Sequence, residues 1–221
     1  MIERASSSVH FIPFAKGFAM QLIKAQGVAL NVMLMLRPMA ERIEVAGSVR
    51  RRKADVHDVE LVIIPKVIES RARGALFSGP NEPIFEALDA LCANPRSRFH
   101  RGDRWGSKYR KLIYRHEGRG FPVDLFFVRR ETFGPQLAIR TGPAEFSRLL
   151  VTHCSKGGVM PDDSHLDGGQ VIGPDGPISL DSEEAFFQYL GLPCWDAHRR
   201  SDVLLQHHLR QLSDLPAGVG G

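Results

Sequence analysis

The chain has no run approaching ~18 uninterrupted apolar residues, which excludes a membrane-spanning helix. It has only three cysteines, Cys92, Cys154 and Cys194, far apart and without a Cys-x-x-Cys pair. Neither a disulfide framework nor a cysteine zinc site is supported by that pattern. The start of the chain carries Glu3, Arg4 and a serine run, with no signal-peptide order of charge, apolar block and cleavage site. These absences point to a reducing compartment, the cytoplasm, and to no membrane partner. An excess of one charge is also lacking: 29 Lys and Arg stand against 25 Asp and Glu, a formal +4. What is present is globular in proportion, with 43% apolar and 24% charged residues over 221 positions. That length holds one large domain or two small ones.

The small net charge is unevenly spread. The 24 positions from Arg96 to Arg119 hold nine basic residues and two acids. That segment carries +7, and by difference from +4 the rest of the chain carries −3. Concentrated positive charge is how a protein meets a polyanion, although a solvated basic face has the same composition.

The pattern of apolar residues predicts a long buried helix from Phe14 to Leu36, stopped by Pro38. Strands are predicted over Arg42–Ala46 and Val59–Ile64, joined through the turn Gly47-Ser48. Pro83 opens a helix to Cys92. Tyr109–Arg115 and Phe121–Val128 read as a hairpin connected by residues 116–120. Further helices are predicted over Ala144–Cys154, closed by Gly157-Gly158, over Glu183–Leu190 and over residues 201–212. Segments 69–82 and 161–180 read as loops, turns and short strands.

Three features carry chemistry together. Gly47-Ser48-Val49-Arg50-Arg51-Arg52 lies between two predicted strands, Asp58-Val59-Glu60 begins the second, and Asp124 interrupts the apolar strand 121–127. Side chains alternate along a strand, so Asp58 and Glu60 share one face while Val59 and Leu61 enter the core. A carboxylate at Asp124 is costly there unless it is paired or metal-bound. If the two strands adjoin, three hard oxygen donors converge, a set that suits Mg²⁺ together with substrate phosphates. Two such ions can hold the attacking and leaving oxygens of an in-line phosphoryl displacement. The Gly47-Ser48 turn offers backbone N–H groups and a hydroxyl to phosphate, and Arg51 or a neighbour can neutralise a triphosphate.

Gly-Ser, nine residues, then Asp-x-Glu, with a later strand carboxylate, resembles the signature of the nucleotidyltransferase superfamily. Ser48-Val49-Arg50-Arg51 resembles its version in the family X DNA polymerases, the polymerase beta type. Gly106-Ser107-Lys108-Tyr109, Pro122-Val123-Asp124-Leu125, Arg140-Thr141-Gly142-Pro143 and Lys156-Gly157-Gly158-Val159 extend the resemblance over residues ~12 to 200. It implies an α+β fold: a polymerase-beta-like palm (13–134), a mixed sheet with helices, and then a small α/β thumb (135–212). A loose N-terminus (1–12) and a flexible tail (213–221) flank them. It implies that Asp58, Glu60 and Asp124 are the catalytic carboxylates and the ligands of two Mg²⁺ ions, with Mn²⁺ as a substitute. Gly47, Ser48, Arg51 and the backbone around His57 would hold the triphosphate. Thr141 and Gly142 would pack under the nucleotide. Lys108 and Arg148 would approach DNA, with Arg110 on the same strand.

The chain departs from the family in places. Glu60 stands where polymerase beta has Asp, and Ile139-Arg140 replaces the Tyr-Phe pair of the sugar-discriminating surface. An arginine at 140 would reach a phosphate or the template instead. Val151 replaces a minor-groove arginine, which implies relaxed fidelity. No N-terminal lyase domain is expected. The expected activity is DNA-directed addition of dNTPs to a primer 3′ end, as in short-gap repair, by a monomer. The alternatives are a template-independent transferase, and one with RNA or protein as acceptor. A DNA-binding scaffold with a degenerate site is a rival of another class.

Overall fold

The computed structural model describes residues 19–69 and 80–213. The expected loose N-terminus, most of the 69–82 loop and all but the first residue of the tail lie outside these. The first described element is strand β1 (Met20–Gln21), which leads directly into helix α1 (Leu22–Leu36). Residues 20–21 are therefore strand rather than helix. They pair with β3 (Asp55–Val56), and Leu22 N–H donates to Ala54 O at 3.0 Å, so the backbone is committed to a neighbour before the helix starts. The first five residues of the expected helix, 14–18, lie outside the described residues.

The centre is a five-stranded mixed sheet. Its strands are β2 (Ala40–Val45), β4 (Val59–Pro65), β7 (Phe99–Trp105), β8 (Tyr109–His116) and β9 (Arg119–Phe127), in the order β2-β4-β9-β8-β7. Only β4 and β9 run parallel; the other three pairings are antiparallel. Between β2 and β4 lies the short helix α2 (Gly47–Arg50), where a simple turn was expected. A small pair, β5 (Ile68–Glu69) and β6 (Pro80–Asn81), precedes helix α3 (Pro83–Ala93). The β8–β9 connection is the two-residue turn Glu117-Gly118, tighter than the five residues expected, because pairing continues to His116 and Arg119.

One face of the sheet packs on α1 and α3. Val59, Leu61 and Ile63 of β4 join Val123 and Leu125 of β9, Leu112 of β8, Val32 of α1 and Leu88 of α3. The opposite face of β4 and β9 carries Val62, Ile64 and Phe126. It is covered by Phe133 and Leu137 of α4 (Phe133–Thr141). Strand β4 is thus buried on both sides, which explains its nearly continuous apolar run. Glu60 is its one charged residue.

Helix α4 also gives Ala138 to a second core, with Phe146 of α5 (Ala144–Val151), Phe186 and Phe187 of α6 (Glu183–Tyr189), and Leu205 of α7 (Asp202–Ser213). A three-stranded antiparallel sheet of β10 (His165–Asp167), β11 (Gln170–Gly173) and β12 (Gly176–Ile178) completes this part. Helix α5 ends at Val151, three residues earlier than expected. Thr152 turns extended there, and its carbonyl accepts from Met160 N–H at 2.9 Å. The turn that Gly157 closes is a separate 3₁₀ segment, Cys154–Lys156. The architecture is α+β, with seven α-helices among the described residues. No helix among them is long and apolar enough to cross a membrane.

Candidate active site

Glu60 and Asp124 are register partners on the parallel pair β4–β9, and both project from the face opposite α1 and α3. Asp58 precedes β4 by one residue. Lys111 of β8 is the register partner of Asp124 from the other side. Three adjoining strands therefore set Glu60, Asp124 and Lys111 in one row.

Gly47 opens α2 with φ +61°, and a Cβ there would lie 2.0 Å from Glu60 Oε2. The missing side chain is what lets the Glu60 carboxylate lie against the backbone. Next to it, Ser48 Oγ is buried with no hydrogen-bond partner, and so is Arg51 Nε. Arg51 spends one nitrogen on the carbonyls of Thr141 and Gly142, at 2.7 and 3.1 Å. Unpartnered buried polar atoms are costly, so these two mark where a ligand would be welcome.

Tyr109 OH donates to Asp124 Oδ1 at 2.8 Å, and its ring stacks on Phe126 at 5.0 Å. Arg140 of α4 lies over the same Phe126 ring at 4.0 Å. Glu60, Asp124, Lys108, Tyr109, Gln136 and Arg140 line a cleft of about 950 Å³, whose far side is the Asp167–Gln170 turn between β10 and β11. Asp58, Gly47, Ser48, Arg51 and the exposed His57 adjoin this cleft in sequence and strand position but are not among its walls.

Burial raises the pKa of all three carboxyls. Glu60 is pushed to about 7, by burial first and then by Asp58, with Asp124 adding to it and Arg140 and Arg51 opposing. Asp58 is raised by burial against the pull of His57, Lys111 and Arg51. Asp124 is raised by burial against the Tyr109 hydrogen bond, Lys111 and Arg140. Burial and the Asp124 bond together push the Tyr109 hydroxyl well above its ordinary range.

Two expected ligand contacts are corrected by their surroundings. Arg110 is buried, not open to DNA. Its guanidinium donates to Phe85 O at 3.0 Å and Asp89 at 3.2 Å, between the rings of Phe85 and Trp105. It occupies the α3 side of β8 because even-numbered residues there point away from Asp124. Thr141 is fully buried, and its hydroxyl accepts from Arg50 at 2.8 Å. It braces α2 rather than facing the cleft. Arg148 is exposed on α5, paired with Glu145 at 2.9 Å, and takes no part in the cleft walls. Sequence reasoning missed Tyr109 and Lys111. Their signal was strand parity, which needs the hairpin register to be read.

The donor chemistry fits a hard divalent cation: three acceptor-only carboxylates, two of them in register, destabilised by burial. Even so, among the described residues no group of three or more His, Cys, Asp or Glu is placed to hold a metal ion. The three carboxylates neighbour one another without being gathered about a common point. No protein-family model matches the chain, and no curated protein matches it in sequence.

Proposed function

We propose that the protein is a nucleotidyltransferase of the polymerase beta type, adding deoxynucleotides to a DNA primer 3′ end as in short-gap filling. The observation that supports this best is the in-register pair Glu60–Asp124, with Gly47 seated on the Glu60 carboxylate and unpartnered Ser48 Oγ beside it. Asp58, Glu60 and Asp124 would hold two Mg²⁺ ions, or Mn²⁺. Bound there, the ions would supply positive charge to the 3′-oxygen and the departing phosphates. The primer 3′-oxygen bonds to the α-phosphorus, the α–β bridging bond breaks, and pyrophosphate leaves. Asp124, held by Tyr109 through one oxygen, takes the 3′-hydroxyl proton on the other. Ser48, Arg51 and the backbone near His57 hold the triphosphate, with Gly47 allowing close approach. Gly142 supports Arg51 through its carbonyl. Lys108 and Arg148 meet the DNA backbone.

The test is extension of a labelled primer on gapped, recessed and single-stranded substrates, with deoxy- and ribonucleotides offered singly. Extension with Mg²⁺ or Mn²⁺ is expected, and Asp124→Asn should reduce it at least about a hundredfold. No extension on any substrate, or equal behaviour of Asp124→Asn, sinks the reading.

A further inference from the structure

Helix α4 presents three polar side chains to the cleft at four-residue spacing: Thr132 at its N-cap, Gln136 and Arg140. Residues four apart lie one above the other on a helix face. Two of the three are committed. The Thr132 hydroxyl donates to Arg129 O at 3.1 Å, and the Arg140 guanidinium lies over the Phe126 ring at 4.0 Å. The half-buried Gln136 side-chain amide has no hydrogen-bond partner among the described residues. Its place is set by the turn across the cleft. Asp167 and Gln170 are register partners of β10 and β11, so Gly168-Gly169 is a two-residue turn, with φ of +56° and +97°. A Cβ on Gly169 would lie 2.4 Å from Gln136 Nε2 and 3.0 Å from its Cδ. The bare turn lets the amide rest against backbone and offer the cleft both donor and acceptor.

The order of groups along α4 matches a nucleotide. At its C-terminal end Arg51 meets the carbonyls of Thr141 and Gly142. Arg140 comes next, in one cleft with Glu60 and Asp124. Gln136 follows about 6 Å further along the axis. The cleft volume of about 950 Å³ is that of a site for one small molecule. We propose that Gln136 reads the edge of the incoming nucleobase and selects adenine, while Arg140 supplies a surface on which any base stacks. A planar side-chain amide matches the N6 donor and N7 acceptor of adenine together. N7 and one N6 hydrogen take no part in base pairing, so a template can still pair with the same base. The inference rests on the nucleotidyltransferase reading and adds to it that base choice is made partly by the protein, before any template is present.

Calorimetric titration of the full chain with each of the four deoxynucleoside triphosphates and with tripolyphosphate, in Mg²⁺ and without DNA, tests this without turnover. The wild type should bind dATP at least about fivefold more tightly than dCTP, dGTP or dTTP. Gln136→Met should bring dATP down to the level of the other three. Arg140→Met should weaken all four at least about threefold and keep the preference for dATP. A damaged fold weakens tripolyphosphate too, whereas a lost edge contact weakens dATP alone. Equal binding of the four by the wild type, or preference for another base, overturns the inference and leaves the catalytic reading standing. A dATP preference that survives Gln136→Met does the same, and so does a parallel loss of tripolyphosphate binding in that variant. Unweakened binding by Arg140→Met, or loss of the preference there, overturns the stacking role. Binding of neither the nucleotides nor tripolyphosphate by any form overturns both readings.

Discussion

Glu60 is where burial and like charge meet most strongly, and its titration sets how the cation-free protein responds to pH. Its folded pKa of about 7 lies above the ordinary 4.5, so the folded chain holds a proton that the unfolded chain releases. Stability therefore falls as pH rises from 4.5 to about 7 and levels above that. Asp58 and Asp124, also raised, act in the same direction. Urea unfolding of chelator-treated protein at pH 5, 6, 7 and 8 should trace the decline. Glu60→Gln should flatten it and gain up to about 3 kcal/mol at pH 8. Gly47→Ala should lose at least about 2 kcal/mol in the same assay, from its left-handed backbone and the clash with Glu60. Glu60 was legible as the one charged residue in an apolar run, whereas Asp58 lies just outside β4, where strand alternation does not fix its facing. Lys111 was not, because its place opposite Asp124 depends on which residues form the turn. A two-residue turn at 117–118 sets Lys111 there; a longer one would set another residue.

Among the elements, α2 owes its position to contacts distant in sequence. Arg50, itself partly exposed, donates to the buried Glu183 at 2.5 Å, and the buried Arg200 donates to the same carboxylate at 2.6 Å. Burial alone would raise Glu183; the Arg200 and Arg50 bonds hold it below the ordinary carboxylate range. Glu183→Ala leaves Arg200 buried without its counter-charge and should cost about 3–5 kcal/mol, read as a lower urea midpoint. Ser182 caps α6 by accepting from Ala185 N–H at 3.1 Å, and Ser182→Ala should cost about 1 kcal/mol. Strands β4, β8 and β9 and helices α3 and α6 were legible from apolar pattern and proline or serine placement. Strand β1 and helix α2 were not, and neither were strand β7 and helix α4. Strand β7 reads Phe-His-Arg-Gly-Asp-Arg-Trp, since an edge strand buries little and needs no apolar alternation. Helix α4 begins with Phe-Gly-Pro, residues that suggest a break, yet Gly134 is packed against Ser182 O and Pro135 sits in the first turn, where it is tolerated.

Across the whole molecule, the excess positive charge lies on β7, β8 and their turns, but its members do different work. Arg110 is buried and Lys111 faces the carboxylates, whereas Arg104, Lys108 and Arg115 are exposed. If these exposed residues meet phosphates, the logarithm of the DNA binding constant should fall with the logarithm of salt by about 0.9 per contact. Lys108→Ala should then reduce the slope by about one contact in a fluorescence-anisotropy titration, while Lys111→Met leaves it unchanged.

The parallel pairing of β4 and β9 sets a time order. Strands β7, β8 and β9 can zip up from one another by neighbouring contacts, but Glu60 meets Asp124 only after a loop spanning everything between them has closed. Closing such a long segment is entropically slow. On the ribosome β2 and β4 emerge first, so the chain possesses no paired carboxylates until β9 has emerged and docked beside β4. Pulse-labelled hydrogen exchange during refolding should protect the β8–β9 amides before those between β4 and β9. The newborn chain would then pass through a stage at which it is partly folded and still chemically silent.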